Sequence, residues 1–467
     1  MNTGSQRASW SGQFAFVLAA AASAIGLGNL WRFPYLAARY GGGVFIAAYL
    51  LLSLTLGVTL LVTEIAIGRR SRQSQLTAFR EMGHKRWGFL GVLATVVPLC
   101  MLPYYNVIGG WVVRYFAEYL GMAFGSGGQG LENPQGFFDS FISAPWEPFV
   151  CMVVFTLVTC AVIVMGVKNG IEKSNVVMMP VLLLMAVGLA IYVALLPGAG
   201  EGIRYYLVPD FSSCDNVGKV VLGAMGQMFY SLSLAMGIMI TYGSYMRRRD
   251  DIQRAAVRIV AADTFVAVLS GFMIIPVVVL FAAKSGAGRA AIDAGPGLMF
   301  VTLPKVFSSL GAAGQWIALA FFVLVLFAAF TSAISMTEAC VAAICDFFRI
   351  GRNASVAVVC AWCFAFGSLS AFGYGRWAGF RPFGMPALDF FDGAMNVLTP
   401  VVAALICIFV GWVARPRTVV EEAEAEGGRF RCKRLYSFMI RYFAPILLVA
   451  ILVSEICRSL GIGGWSI

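Results

Sequence analysis

The polar side chains that could do chemistry in this chain are few, and most stand where hydrocarbon would exclude them. Asn29 and Arg32 lie in the run Ala24-Ile25-Gly26-Leu27-Gly28-Asn29-Leu30-Trp31-Arg32-Phe33-Pro34, in the middle of a long apolar segment. Gln227, Ser231 and Ser233 precede Gly237 in a second such segment. Asp263 sits in a third, within Ala262-Asp263-Thr264-Phe265-Val266, and Thr331 and Ser332 adjoin in a fourth. Apart from Arg32, each offers an oxygen. Carboxylate, amide and hydroxyl oxygens suit a hard cation such as sodium and not a soft or redox-active metal. An isolated carboxylate at such depth must neutralise or find a cation. For Thr331 and Ser332 taken singly, the plain alternative is a hydroxyl bonded back to its own helix.

The elements that must position these groups are membrane spans. The chain has 467 residues, 60% of them hydrophobic and only 12% charged, with a mean hydropathy of +0.83. Soluble domains carry about 25% charged residues, so an all-α polytopic membrane protein is the class that fits. Apolar stretches of about 20 residues recur as about eleven candidate transmembrane helices, numbered here as spans 1 to 11: 13–38, 43–68, 89–122, 149–166, 174–196, 217–245, 255–283, 313–346, 355–373, 387–413 and 434–460. The net charge of +11 does not point to nucleic acid. Its lysines and arginines gather in alternate loops, among them Arg69, Arg70 and Arg72 after span 2, Arg247 to Arg249 after span 6, and Arg429, Arg431, Lys433 and Arg434 before span 11. That asymmetry places the N-terminus in the cytoplasm. The acidic stretch 421–426 reads as a flexible hydrophilic linker, and 285–312 as a re-entrant or lid-like loop.

Span 1 should be uninterrupted, yet Gly26, Gly28 and Ser23 weaken its helix midway. Span 6 repeats the pattern with Ser231, Ser233 and Gly237. Irregular backbone at bilayer depth is tolerated only where protein buries it or where it lines a cavity. A broken helix offers free N–H groups to a carboxylate and free carbonyls to a cation. Small residues also serve close helix packing, which would account for either segment alone. Spans 1 and 6 are five apart, however, and an odd number of spans per half turns the halves opposite ways. Two broken helices in matching positions of such an inverted repeat mark a midplane substrate site. The repeat boundaries read as 13–196 and 217–413, with 434–460 an additional helix, all in one domain 1–467.

Other chemistries are excluded. No P-loop, HExxH or GxSxG stands in a suitable context, so nothing supports an ATP-driven pump or a hydrolase. The eleven cysteines are scattered mostly singly through apolar spans, and the single histidine, His84, lies beside Lys85 and Arg86 in a basic loop. Neither makes a metal centre.

The run from Gly26 to Pro34, with Tyr104-Tyr105 in span 3, the stretch Ser231 to Tyr245, Thr331-Ser332 and Asp389-Phe390, resembles the neurotransmitter:sodium symporter family along essentially the whole chain. The resemblance is greatest to prokaryotic members that carry hydrophobic amino acids. It implies the five-plus-five inverted repeat of the LeuT-like fold, with helices 1 and 6 unwound at midplane, in the inner membrane. It also implies sodium-coupled transport with two sodium ions, and allows a homodimer. One sodium would be held by the Ala24 carbonyl, Asn29, Ser231, Asp263 and the substrate carboxylate. The other would use the carbonyls of Ala22, Ile25 and Ala328 with the hydroxyls of Thr331 and Ser332. The substrate carboxylate would meet the backbone of Leu27 and Gly28 and the hydroxyl of Tyr105, its amine would meet carbonyls near Ser231 and Leu234, and Ala24 and Gly26 would also border the substrate. Met101, Ile108, Tyr230, Ser233, Met236, Ser332 and Met336 would complete the walls. An outer gate would pair Arg32 with Asp389, assisted by Gln227. An inner gate would pair Arg7 with Asp346 near Trp10, Ser244 and Tyr245.

Two positions depart from the family pattern. Ala267 occupies the place of a serine found in chloride-dependent relatives, while Asp263 stands at the sodium-binding asparagine. A fixed carboxylate can supply the charge that chloride would bring, so transport is expected to be chloride-independent, with a pH dependence through Asp263. Ala235 stands where glycine is common, and its methyl is expected to narrow the pocket toward mid-sized apolar amino acids. A carrier of another carboxylate-bearing zwitterion and a non-transporting amino-acid sensor are the alternatives on the same fold. A membrane enzyme lacks any nucleophile and base to support it.

Overall fold

The computed structural model describes residues 8–125, 133–209, 211, 216–285 and 295–459. The chain is built from α-helices, and no sheet forms among the described residues. Nine described helices are long and apolar enough to cross a membrane, and a bent pair, Gln13–Ala24 with Gly28–Arg39, makes a tenth crossing. The helices Val217–Ser231 and Ile238–Ser244 occupy the sequence position expected for span 6. Spans 3 and 8 are the longest, Lys85–Ala123 and Ala313–Phe348, and they pack along one another. Two ends can be distinguished: a basic end, with the arginine-rich loops, and a lid end, with the loop that follows span 7.

Both expected breaks are present. Helix Gln13–Ala24 stops where Ile25 takes extended backbone (φ −76°, ψ 97°). A π-helical turn, Gly28–Arg32, then restarts the helix, and Pro34, which has no N–H to give the ladder, follows it directly in Phe33–Arg39. The two halves meet at 54°. In span 6 the helix ends at Ser231 and resumes at Ile238. Between them Ser233 (φ 52°), Ala235 (φ 60°) and Gly237 (φ 70°) are left-handed. Such backbone costs a non-glycine residue about 1–2 kcal/mol, so neighbours must hold it. They do: the Leu234 N–H donates to the Phe229 carbonyl at 3.2 Å. The Ser233 hydroxyl donates to the Ser23 carbonyl at 3.2 Å, and the Ala235 N–H donates to Glu64 Oε1 at 2.7 Å.

The stretch expected to be a flexible linker is folded. Pro416–Glu424 is a helix packed on span 2. Its Glu422 forms a buried ion pair with Arg69 at 2.8 Å. The Arg69 guanidinium also donates to the carbonyls of Arg248 at 3.2 Å and Asp250 at 2.6 Å, and to the Glu422 carbonyl. Acidic composition suggested solvation, but one buried acid facing one buried guanidinium folds the segment. The expected lid also has structure in its described part. Leu298–Ser309 is helical, and Phe300 packs among Trp111, Tyr115 and Phe138, with the Tyr115 hydroxyl on its carbonyl at 2.7 Å.

Candidate functional site

The breaks in spans 1 and 6 face one another, and Asp263 stands beside both. Its carboxylate is fully buried. Asn29 Nδ2 donates to Oδ1 at 2.8 Å, and the Ser231 hydroxyl donates to the two oxygens at 2.7 and 2.9 Å. A fourth member went unforeseen: the Tyr49 hydroxyl of span 2 donates to Oδ2 at 2.9 Å and reaches Ser231 at 3.3 Å. The only sign in the sequence was a phenol inside an apolar span, which needs a polar partner when buried. Ser270, also unanticipated, donates to the Asn29 carbonyl and holds that turn in place. Four oxygens, those of Ser231 and Tyr49 and the two of Asp263, thus converge from spans 6, 2 and 7, the donor set a hard cation takes, while Asn29 of span 1 turns its amide N–H to Asp263 and accepts from the Gly26 N–H at 3.3 Å through its oxygen. Ala267 is buried without a hydroxyl to offer.

The second oxygen cluster lies where span 8 meets span 1. Ser332 donates to the Ser23 carbonyl at 3.2 Å, next to the break at Ile25. Thr331 instead bonds back along its own helix, to the carbonyls of Phe327 at 3.0 Å and Ala328 at 3.1 Å. The plain alternative therefore describes Thr331 in this conformation, and the bridging role describes Ser332. Ala22, Ile25, Ala328 and Thr331 are all fully buried.

A cavity opens between the two clusters. Its walls are Ser23, Ala24, Gly26, Leu27, Gly28 and Asn29 from span 1, Met101 and Tyr105 from span 3, Tyr230, Ser231, Ser233 and Met236 from span 6, and Ser332 and Met336 from span 8. The glycines are required here. A Cβ on Gly26 would stand 2.5 Å from Ser332 Oγ, and one on Gly28 would stand 2.5 Å from the Tyr230 ring. The buried Tyr105 hydroxyl faces Ser332 and the Leu27 backbone without a full hydrogen bond to either. Ile108 and Leu234, expected in this wall, stand elsewhere. Ile108 lines a neighbouring vestibule, and Leu234 is fully buried, outside the lining. Ala235 is likewise outside it, whereas Met101, Met236 and Met336 are part of it.

Toward the lid end lies a vestibule of about 240 Å³ that includes Arg32, Tyr230, Asp389 and Asp392 in its walls. The Arg32 guanidinium lies 5.4 Å from the centre of the Tyr230 ring. Arg32 and Asp389 share the vestibule wall without forming an ion pair. Asp392, one turn further along, faces the same tyrosines as Arg32. It accepts from Tyr104 at 3.2 Å and from Asn396 at 3.0 Å. The i, i+3 spacing of Asp389 and Asp392 puts both on one helix face, the signal by which Asp392 could have been found. Gln227 donates to the Gly28 carbonyl at 3.1 Å, so it joins the two broken helices and does not bridge the vestibule.

At the basic end the Trp10 ring N–H donates to the Tyr242 carbonyl at 3.0 Å, and its backbone N–H donates to the Tyr245 carbonyl at 3.2 Å. Ser244 bonds to the Thr241 carbonyl at 2.5 Å. Asp346 accepts from the Ser74 N–H at 2.6 Å, and Arg7 lies outside the described residues. Tyr245 reaches a group the sequence reading omitted: its hydroxyl donates to Glu338 at 2.8 Å, and Glu338 pairs with Arg352 at 2.5 Å. An acid well inside apolar span 8 was the clue, because a buried charge must be paired.

Comparison with known proteins agrees with this arrangement. A model of the sodium:neurotransmitter symporter family matches residues 7–126 and 139–463. The sodium-dependent transporter YhdH of Bacillus subtilis is 33% identical over 452 residues, covering 96% of this chain and 97% of the relative. A sodium-dependent transporter of Haemophilus influenzae is 31% identical over 467 residues, covering 97% and 98%. The crystal structure of MhsT in complex with L-phenylalanine has a TM-score of 0.84 at 32% identity, covering 96% of this chain and 100% of that one. With its broken spans, its buried oxygen clusters and these relatives, the chain belongs to the sodium:neurotransmitter symporter family, whose members are sodium-dependent membrane transporters.

Proposed function

We propose that this protein is a sodium-coupled symporter of neutral hydrophobic L-amino acids that works by alternating access. One observation carries the reading: Asn29 and Ser231 both line the cavity and both bond Asp263. A substrate carboxylate seated on the Gly26–Gly28 backbone would therefore complete the oxygen shell of a sodium ion held by these three residues. Each ligand then raises the affinity for the other by the same factor. The walls beyond Tyr105 offer Met101, Met236 and Met336 to an apolar side chain. MhsT, the structural neighbour, was crystallised with L-phenylalanine, which has a carboxylate, an amine and an apolar side chain.

A second sodium is assigned to Ala22, Ile25, Ala328, Thr331 and Ser332, where the Ile25 carbonyl has left the helix. The Asp263 charge and the apolar Ala267 support chloride independence. The positive loops support a cytoplasmic N-terminus in the inner membrane, and the paired breaks support inverted halves at 13–196 and 217–413. The test is thermal stabilisation of the purified protein by an amino-acid panel, with sodium or with choline. Stabilisation by leucine, valine, methionine and phenylalanine that depends on sodium is the expected result. Stabilisation of equal size in choline refutes coupling, and preference for charged amino acids refutes the substrate class.

A further inference from the structure

The folded linker between spans 10 and 11 returns along the first turn of span 7, where the Arg431 N–H donates to Gln253 Oε1 at 2.9 Å. That contact ties the end of the linker to the start of span 7, and four exposed arginines stand on the two elements it joins. Arg254 and Arg258 stand four residues apart on span 7, and Arg431 and Arg434 lie at the start of span 11. The Arg69–Glu422 pair beneath them holds the linker in this position. The counter-charge is meagre. Asp251 stands 3.9 Å from Arg254, and Glu424 is taken by Lys433 at 2.7 Å. Among the described residues no carboxylate lies within ion-pair distance of Arg258, Arg431 or Arg434. Just beyond the arginines, both helices present apolar side chains outward: Phe265 is 54% exposed on span 7, and Phe438 is 54% exposed on span 11.

Exposed guanidinium groups at the starts of spans 7 and 11, each followed along its own helix by an exposed phenylalanine, match an amphiphile with an anionic head and apolar chains. We propose that this edge binds the head group of an anionic phospholipid, its phosphate held by Arg254, Arg258, Arg431 and Arg434 and its acyl chains lying over Phe265 and Phe438. Guanidinium groups bind phosphate in bidentate fashion, and basic residues beside spans attract anionic lipid. The site rests on the proposed orientation only in placing the lipid in the cytoplasmic leaflet. Because it joins the start of span 7 to the start of span 11, an occupying lipid would brace the contact between them.

Native mass spectrometry of the full-length protein would compare phosphatidylglycerol with phosphatidylcholine of identical chains. Each arginine contributes about fivefold to preference at an anionic surface. The combined variant R254Q/R258Q/R431Q/R434Q should therefore lose roughly several hundredfold of the preference for phosphatidylglycerol. A control removing equal charge from other exposed positions, K85Q/R86Q/K168Q/K173Q, should keep it. Should the combined variant not fold, R254Q/R258Q and R431Q/R434Q are measured separately, each expected to lose roughly 25-fold. Equal loss in test and control variants would reduce the effect to general surface charge and overturn the site. So would an undiminished preference in the test variants, or displacement of the lipid by soluble glycerol phosphate, which would make the site one for free phosphate. Binding is read without transport, so this result stands or falls apart from the symport reading.

Discussion

Replacing Asp263 with asparagine tests the sodium site most directly, because it keeps the shape and removes the charge. The carboxylate is fully buried and is bonded by three neutral side chains, Asn29, Ser231 and Tyr49. Two unit charges 4 Å apart attract by about 4 kcal/mol at an effective dielectric of about 20. The asparagine carbonyl keeps one oxygen ligand and recovers part of this, leaving a loss of about 2–4 kcal/mol. At 1.4 kcal/mol per decade, sodium affinity should fall roughly 30- to 700-fold. The Ser231 and Tyr49 hydroxyls can rotate to accept from the new amide, so the fold should survive, which a monodisperse gel-filtration profile checks. The assay is uptake of radiolabelled leucine into proteoliposomes against external sodium at constant ionic strength. The half-saturating sodium concentration should rise by that factor in D263N. A value within about threefold of wild type would refute the assignment of the carboxylate as a sodium ligand.

Four further outcomes are expected. Exchanging chloride for gluconate should leave wild-type uptake unchanged, and a fall to background would show that Asp263 does not replace the anion. In Gly26→Ala the new methyl would meet Ser332 Oγ at 2.5 Å; overpacking of this kind costs about 1–3 kcal/mol, so KM for leucine should rise about tenfold or more in competition uptake. Ser332→Ala removes the bridge from span 8 to the Ser23 carbonyl and should weaken sodium dependence and flatten its sigmoidal shape while leaving the Asp263 cluster whole; an unchanged sodium curve would exclude Ser332 from the second site. Ala235→Gly relaxes a left-handed residue (φ 60°) that lies outside the cavity lining, so thermal stability should hold or rise by about 1 kcal/mol with the substrate ranking unchanged. A shift of that ranking toward tryptophan would restore Ala235 as the determinant of pocket size.

The breaks in spans 1 and 6 were legible because glycine, serine and asparagine within apolar runs violate both helix propensity and hydrophobic continuity. That violation is local, so it survives in one dimension. The cavity wall followed from the same two segments, and the resemblance placed Met101, Tyr105, Ser332 and Met336 around it. Groups whose meaning depends on a distant partner were not legible. Tyr49 looks like any aromatic in a span until Asp263 is brought against it. Glu338 acquires its role from Tyr245 and Arg352, and Asp392 from Tyr104. The linker at 421–426 failed for a related reason. Acidic composition predicts solvation, but a single buried arginine at the end of span 2 takes one of those acids out of water. Ala235 misled in the opposite direction, because alternation of left-handed residues in span 6 turns neighbouring side chains to different sides, which spacing alone does not reveal.

Lining the cavity with Met101, Met236 and Met336 has a further consequence for a carrier in a cell under oxidative stress. Thioethers adapt to differently shaped apolar guests, but they are also oxidised to sulfoxides, which are polar and chiral and can be reduced again by dedicated reductases. Hypochlorite or peroxide reaching this chamber through the vestibule would turn its greasy wall into a hydrogen-bonding one. Uptake would then be silenced without unfolding, and restored by enzymatic repair.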